Sequence, residues 1–144
     1  MDELHGALKA AAYDIYFGFL KREAESGKYP EYKASGIAYI RFAKEERELF
    51  KFLFMCERSQ DSQAMGSRDF DMIVENLMEN NEGMSREVAS LMHLEIWSAV
   101  HGIATMLATS FLSLDWDLIS MMLSDTYHGI RSRHICDTGK GEKR

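Results

Sequence analysis

The stretch from Ser85 to Phe111, SREVASLMHLEIWSAVHGIATMLATSF, constrains this chain most, because no single packing partner can satisfy both of its surfaces. At about 100° per residue, Ile96, Trp97, Val100, Ile103, Ala104, Leu107 and Phe111 make a wide apolar face. Ser98, Gly102, Thr105 and Thr109 fall on another face, a strip of small residues on which a second backbone can come close. Ser85 can cap the start, and Glu87 in the first turn meets the positive end of the backbone dipole. No proline interrupts the run, so the spacing predicts one long helix with a face for its own core and a face for something else. Gly102 costs about 1 kcal/mol in a helix interior. Close approach of another helix is the compensation that the strip suggests.

The rest of the chain reads as helices around this one. Met1 to Glu25 repeats Leu4, Leu8, Ala11, Ala12, Ile15, Phe19 and Leu20 at helical spacing, and Gly27 ends it. Pro30 suits the first turn of a second helix carrying Ile37, Ala38, Ile40 and Phe42, up to a charged break at Lys44-Glu45-Glu46-Arg47. Glu48 to Cys56 is a dense apolar block whose Leu49, Phe50, Phe52, Leu53, Phe54 and Met55 leave little solvent face. Glu57 to Arg68 is polar and reads as a loop and candidate mobile flap. A fourth helix, Asp69 to Glu79, turns Phe70, Ile73, Val74 and Leu77 inward and stops at Asn80-Asn81-Glu82-Gly83. After the long helix, Trp116 to about Arg133 forms a last one. It has Trp116, Ile119, Leu123, Tyr127 and Ile130 on one face and Leu118, Met122, Thr126 and Gly129 on its flank. The short link implies an antiparallel hairpin.

Composition narrows the function. The 144 residues suffice for one domain with a real core, and the net charge of -6 argues against a nucleic-acid binder, since phosphate contacts need a basic face. Basic residues concentrate only at the end, in Arg131, Arg133, His134, Lys140, Lys143 and Arg144. Residues 1–133 are thus expected to form the helical domain and 134–144 a disordered polar tail. Cys56 and Cys136 make neither a CxxC pair nor a disulfide framework, so a reduced cytoplasm is the simplest setting. The apolar run from Ala99 to Leu114 is interrupted by polar residues and too short to span a bilayer.

Two kinds of site suggest themselves. Tyr13, Tyr39, Phe50, Phe54, Met92 and Trp97 come from four helices and could surround an apolar small molecule, although aromatic and methionine side chains also fill cores by default. The ten methionines favour an adaptable cavity. His101 follows Trp97 by one turn and could touch a ligand, cross to a partner subunit, or hydrogen-bond within the core. Ser98, Gly102, Thr105 and Thr109, with Leu118, Met122, Thr126 and Gly129, are the candidate dimer interface. Catalytic apparatus is not visible: there is no Glu-x-x-His pair, no Gly-rich phosphate loop and no G-x-S-x-G, and His93 and Glu95 point to different sides of a helix. No metal and no cofactor is expected.

Three motifs carry a family resemblance. Met1-Asp2-Glu3-Leu4 leads into a helix; Ala38-Tyr39-Ile40-Arg41-Phe42-Ala43 precedes Glu48-Leu49-Phe50-Lys51-Phe52-Leu53-Phe54; and Trp97-Ser98-Ala99-Val100-His101-Gly102 supplies Trp-x-x-x-His-Gly. In that order they resemble the ligand-binding and dimerisation half of the TetR family of transcriptional repressors, in its Trp-His-Gly subgroup. Glu46-Arg47 stands where the subgroup's second motif carries proline. The resemblance implies an all-α bundle of about six helices whose last two pair with those of a second subunit in a four-helix interface. It further implies a homodimeric repressor domain that senses an apolar small molecule. DNA would be bound only through a helix-turn-helix domain, which this sequence does not contain. The alternative is a stand-alone dimerisation module that pairs with full-length relatives; a helical metal or haem protein is a third reading. An in-frame helix-turn-helix upstream of Met1 would favour the repressor, and a stop codon there the module.

Overall fold

Six helices and no strand form in the residues that the computed structural model describes, 2–56 and 60–140. They are α1 (Asp2–Ser26), α2 (Glu31–Glu45), α3 (Arg47–Phe54), α4 (Gln60–Asn80), α5 (Arg86–Ala108) and α6 (Trp116–Lys140). The expected all-α fold is the one observed.

Local chemistry sets the helix ends. Gly27 stops α1 in the left-handed region at φ 64°. Pro30 stands one position before α2, its carbonyl accepting from the Lys33 and Ala34 amides. Glu46, at φ -120° and ψ 59°, separates α2 from α3 within the expected charged break. Ser85 caps α5, its Oγ accepting from the Val88 amide at 3.2 Å. Asp115 does the same for α6, accepting from the Leu118 amide at 2.8 Å.

The chain divides into two compact units. The first comprises residues 1–56 and 100–124, hence α1, α2, α3, the end of α5 and the start of α6. Its centre is α2: Ala34, Ile37, Ala38, Tyr39, Ile40, Phe42 and Ala43 are all buried. A helix buried on so many sides must lie among its neighbours. At Gly36 the methyls of Leu123 and Val100 come within 3.5 and 3.6 Å of where a Cβ would stand. Ala12, Phe19, Phe50, Leu53, Val100, Ile103, Ala104, Leu107, Ile119 and Leu123 complete the core. Arg41 ties α2 to α1 through Glu23 at 2.6 Å, and its guanidinium lies 4.3 Å from the centroid of the Trp116 ring.

The second unit comprises residues 57–99 and 125–144. Val74, Met84, Ala89 and Met92 form its core, with Phe70, Leu77, Val88, Ile96, Tyr127 and Ile130 packed around them. Arg86 reaches Asp71 at 2.7 Å, and the buried His134 donates from Nε2 to Glu95 Oε2 at 2.9 Å. His93 packs against Phe70 and Trp97, with ring centroids 5.0 and 6.4 Å away. Burial holds its imidazole below the ordinary value of 6.5 by penalising the charged form. The native state therefore favours the neutral ring, and the unfolded chain takes the proton first as pH falls. Stability contributed above pH 6.5 is lost on acidification through the folded-state value. We expect the Tm of the natural chain to fall more steeply below about pH 6.5 than that of His93→Phe; parallel curves would contradict this.

Several boundaries differ from the sequence reading. α4 begins at Gln60, so residues 60–68 are helical where a loop was expected; residues 57–59 of that flap lie outside the described residues. α6 runs to Lys140, beyond the expected end at Arg133, and the last four residues of the expected tail, 141–144, lie outside the described residues. α5 ends at Ala108, because Ser110 turns left-handed at φ 58° and the Phe111 amide folds back onto the Met106 carbonyl at 2.9 Å. Phe111 is consequently 76% exposed and does not belong to the apolar face. Along α1, Leu4, Leu8 and Ile15 have the expected helical spacing yet are exposed; Ala12, Phe19 and Glu23 make the buried face instead.

Candidate functional site

Helical spacing on α1, α2, α3 and the end of α5 brings rings from four elements to one place in the first unit. Tyr39, buried on α2, lies 4.9 Å from Phe54, 5.3 Å from Phe50 and 6.1 Å from His101 between ring centroids. Phe50 and Phe54 are one turn apart on α3 and 5.5 Å from each other; Phe50 also lies 5.9 Å from His101. Tyr13 from α1 meets Phe54 edge-on at 6.2 Å. These spacings suit aromatic pairs, whose positive edges seek negative faces. The Tyr39 hydroxyl and His101 Nδ1 share a hydrogen bond at 2.7 Å.

Tyr13, Tyr39, Phe50, Phe54 and His101 thus form one cluster. Met92 and Trp97 belong to the second unit, where Met92 is fully buried in the core and Trp97 lies against His93. Tyr16 and Phe42 are cluster members that the sequence reading did not single out as site residues. Tyr16 lies 5.2 Å from Phe54 and 5.3 Å from Phe42. Its position three residues after Tyr13, on the same helical face, was the available signal. Chemically the cluster offers carbon surface and one imidazole–phenol pair, with Phe50 and Tyr39 sealed inside and Tyr13, Phe54 and His101 half-buried. Tyr39→Phe removes the shared hydrogen bond and is expected to cost about 1–2 kcal/mol in denaturant titration. An unchanged midpoint would show that the pair contributes nothing.

The candidate interface residues are also accessible. Ser98, Gly102, Thr109, Leu118 and Gly129 are exposed, and Thr105, Met122 and Thr126 half-buried. Beyond its own helix backbone and chain neighbours, a Cβ at Gly102 or Gly129 would meet nothing within 4 Å among the described residues. The Ser98 hydroxyl donates to the Leu94 carbonyl and the Thr109 hydroxyl to the Thr105 carbonyl, each at 2.7 Å. Both hydroxyls are satisfied within their own helix, so covering them with apolar surface orphans no donor, whereas the buried Thr105 Oγ1 has no hydrogen-bond partner among the described residues. The sequence reading passed over Leu91, Leu94 and Met121, which are 40%, 51% and 62% exposed. Leu94 and Leu91 precede Ser98 by four and seven positions, the spacing that extends the same stripe.

Residues 32–123, more than half of the chain, match the family model described as tetracyclin repressor-like, C-terminal domain. The chain belongs to that family. Comparison with curated proteins and with solved structures gives no match. As a tetracyclin repressor-like C-terminal domain, the chain is a regulatory domain of the ligand-binding and dimerisation class. The matched stretch holds α2, α3, the Trp97–Gly102 signature and the start of α6, and so contains most of the aromatic cluster and of the small-residue strip. Among the described residues no helix is long and apolar enough to cross a membrane, and no group of His, Cys, Asp or Glu could hold a metal ion.

Proposed function

We propose that this repressor-type domain senses an uncharged apolar small molecule at the aromatic cluster of the first unit, and that α5 and α6 pair with those of a second copy. The gathering of Tyr13, Tyr39, Phe50, Phe54 and His101, with centroid spacings from 4.9 to 6.2 Å, is the observation that carries the reading. Half-buried Tyr13 and Phe54 are the rings an entering molecule would part. Tyr39 and His101 orient it at the polar end, and Phe50 forms the floor. A flat apolar effector replaces ring–ring contacts with ring–ligand contacts and needs no charged partner. Regulation follows only if the effector's affinity differs between two arrangements of the dimer, since equal affinity shifts nothing. DNA would be read by a helix-turn-helix domain outside residues 1–144, whose spacing the dimer sets.

A thermal-shift screen of uncharged aromatic and aliphatic small molecules tests the sensor. A ligand at one hundred times its Kd stabilises by about 2.7 kcal/mol. At least one compound is expected to raise Tm with increasing concentration, and Phe54→Ala is expected to abolish that rise while leaving a folded chain. A screen without any stabiliser, or one whose hits ignore Phe54→Ala, contradicts the assignment.

A further inference from the structure

The second unit carries a separate cleft that the aromatic cluster does not use. It encloses about 190 Å³ where the turn after α4 meets the start of α5 and the end of α6. For scale, an apolar cavity of about 150 Å³ accepts benzene. Met84, Val88 and Ile135 supply its apolar wall, and Asn81, Arg131 and His134 its polar one.

The polar wall is held in place. Asn81 is buried, and its amide nitrogen donates to the Leu77 carbonyl at 2.9 Å, which fixes the orientation of the amide. The opposite end, Oδ1, accepts from Arg131 Nε at 3.3 Å. With Nε committed, the terminal nitrogens of the guanidinium remain as an end-on fork, the geometry that grips a carboxylate through two parallel hydrogen bonds. His134, 4% exposed, is anchored by Glu95 and closes the floor. Glu82 also lines the cleft; its carboxylate and the Arg131 guanidinium are both exposed, and of the two Arg131 is the one held by a buried partner, Asn81.

We propose that this cleft binds a small carboxylic acid with a ring-sized apolar body, the carboxylate on the Arg131 fork and the body against Met84, Val88 and Ile135. This site differs in residues and in ligand charge from the aromatic cluster and does not depend on its assignment.

Titration calorimetry of the whole chain at fixed ionic strength tests it, with benzoate, acetate, benzyl alcohol and benzylamine as probes. Benzoate is expected to bind saturably, one per chain, and at least tenfold more tightly than each of the other three. Arg131→Gln should weaken benzoate at least tenfold, and Val88→Phe, which fills the apolar part without touching the fork, should abolish it. Tyr39→Phe should leave benzoate binding unchanged. Absence of benzoate binding overturns the proposal, as does equal binding of benzylamine or benzyl alcohol. Binding that survives Val88→Phe also overturns it, and that variant decides alone if Arg131→Gln does not fold. Binding lost in Tyr39→Phe would place the acid at the aromatic cluster and equally overturn it.

Discussion

Phe50→Ala is expected to destabilise the chain by about 3–5 kcal/mol, a large part of the 5–15 kcal/mol that typically holds a domain together. Phe50 is fully buried and its ring meets Tyr39, Phe42, Phe54 and His101. Truncation removes the ring's transfer free energy and leaves a cavity among side chains that are themselves in contact and can collapse only partly. Phe52, two positions away and half-buried, should cost well under half as much on the same change. Denaturant titration of both variants checks the contrast. Equal losses, or a loss below about 1 kcal/mol at Phe50, would mean that the cluster is not a packed core.

Gly102→Leu is expected to act in opposite directions on the protomer and on its association. Apart from the backbone of its own helix turn and its chain neighbours, no atom of the described residues lies within 4 Å of the position a Cβ would take, and Gly102 is exposed, so the protomer leaves space there for a side chain. Helix propensity then favours leucine over glycine by somewhat under 1 kcal/mol. A partner helix resting on the strip would meet that side chain head-on, and overpacked contacts of this kind cost about 1–3 kcal/mol each, counted twice in a twofold interface. Self-association should therefore weaken about thirtyfold or more while the melting temperature of the diluted protomer holds or rises. Leu94→Glu, which places a charge on an exposed leucine of the same stripe, should reproduce the loss of association without the gain. A Gly102→Leu chain that associates as tightly as the natural one would assign the small-residue strip to solvent.

The parts of this fold that were legible in the sequence are those where one local rule decided the outcome. Ser85 as a cap, Gly27 as a stop, and Ile37, Ala38, Ile40 and Phe42 as core all follow from side-chain chemistry or from dense apolar spacing. Residues 60–68 carry Met65 as their one large apolar side chain and so show no apolar face in the sequence, although a helix forms there. The end of α5 was misplaced because a serine, not a glycine, takes the left-handed position at residue 110.

On α1 the periodicity marks the helix but not its buried face. Leu4, Leu8 and Ile15 form an apolar stripe that stays exposed, because spacing reports a face without reporting what covers it. At the candidate site, five of the residues chosen from their chemistry meet in space. Met92 and Trp97 are of the same residue types but belong to the other unit, Met92 in its core and Trp97 against His93, a distinction that depends on long-range packing. The Asn81–Arg131 and Glu95–His134 pairs were invisible for the same reason, as each joins residues far apart in sequence.

Sedimentation equilibrium of the 144-residue chain across the micromolar range tests the dimerisation claim most directly. The natural chain is expected to sediment as a dimer and Gly102→Leu as a monomer of 16.5 kDa. A natural chain that remains monomeric throughout that range would contradict the pairing of α5 and α6 with a second copy.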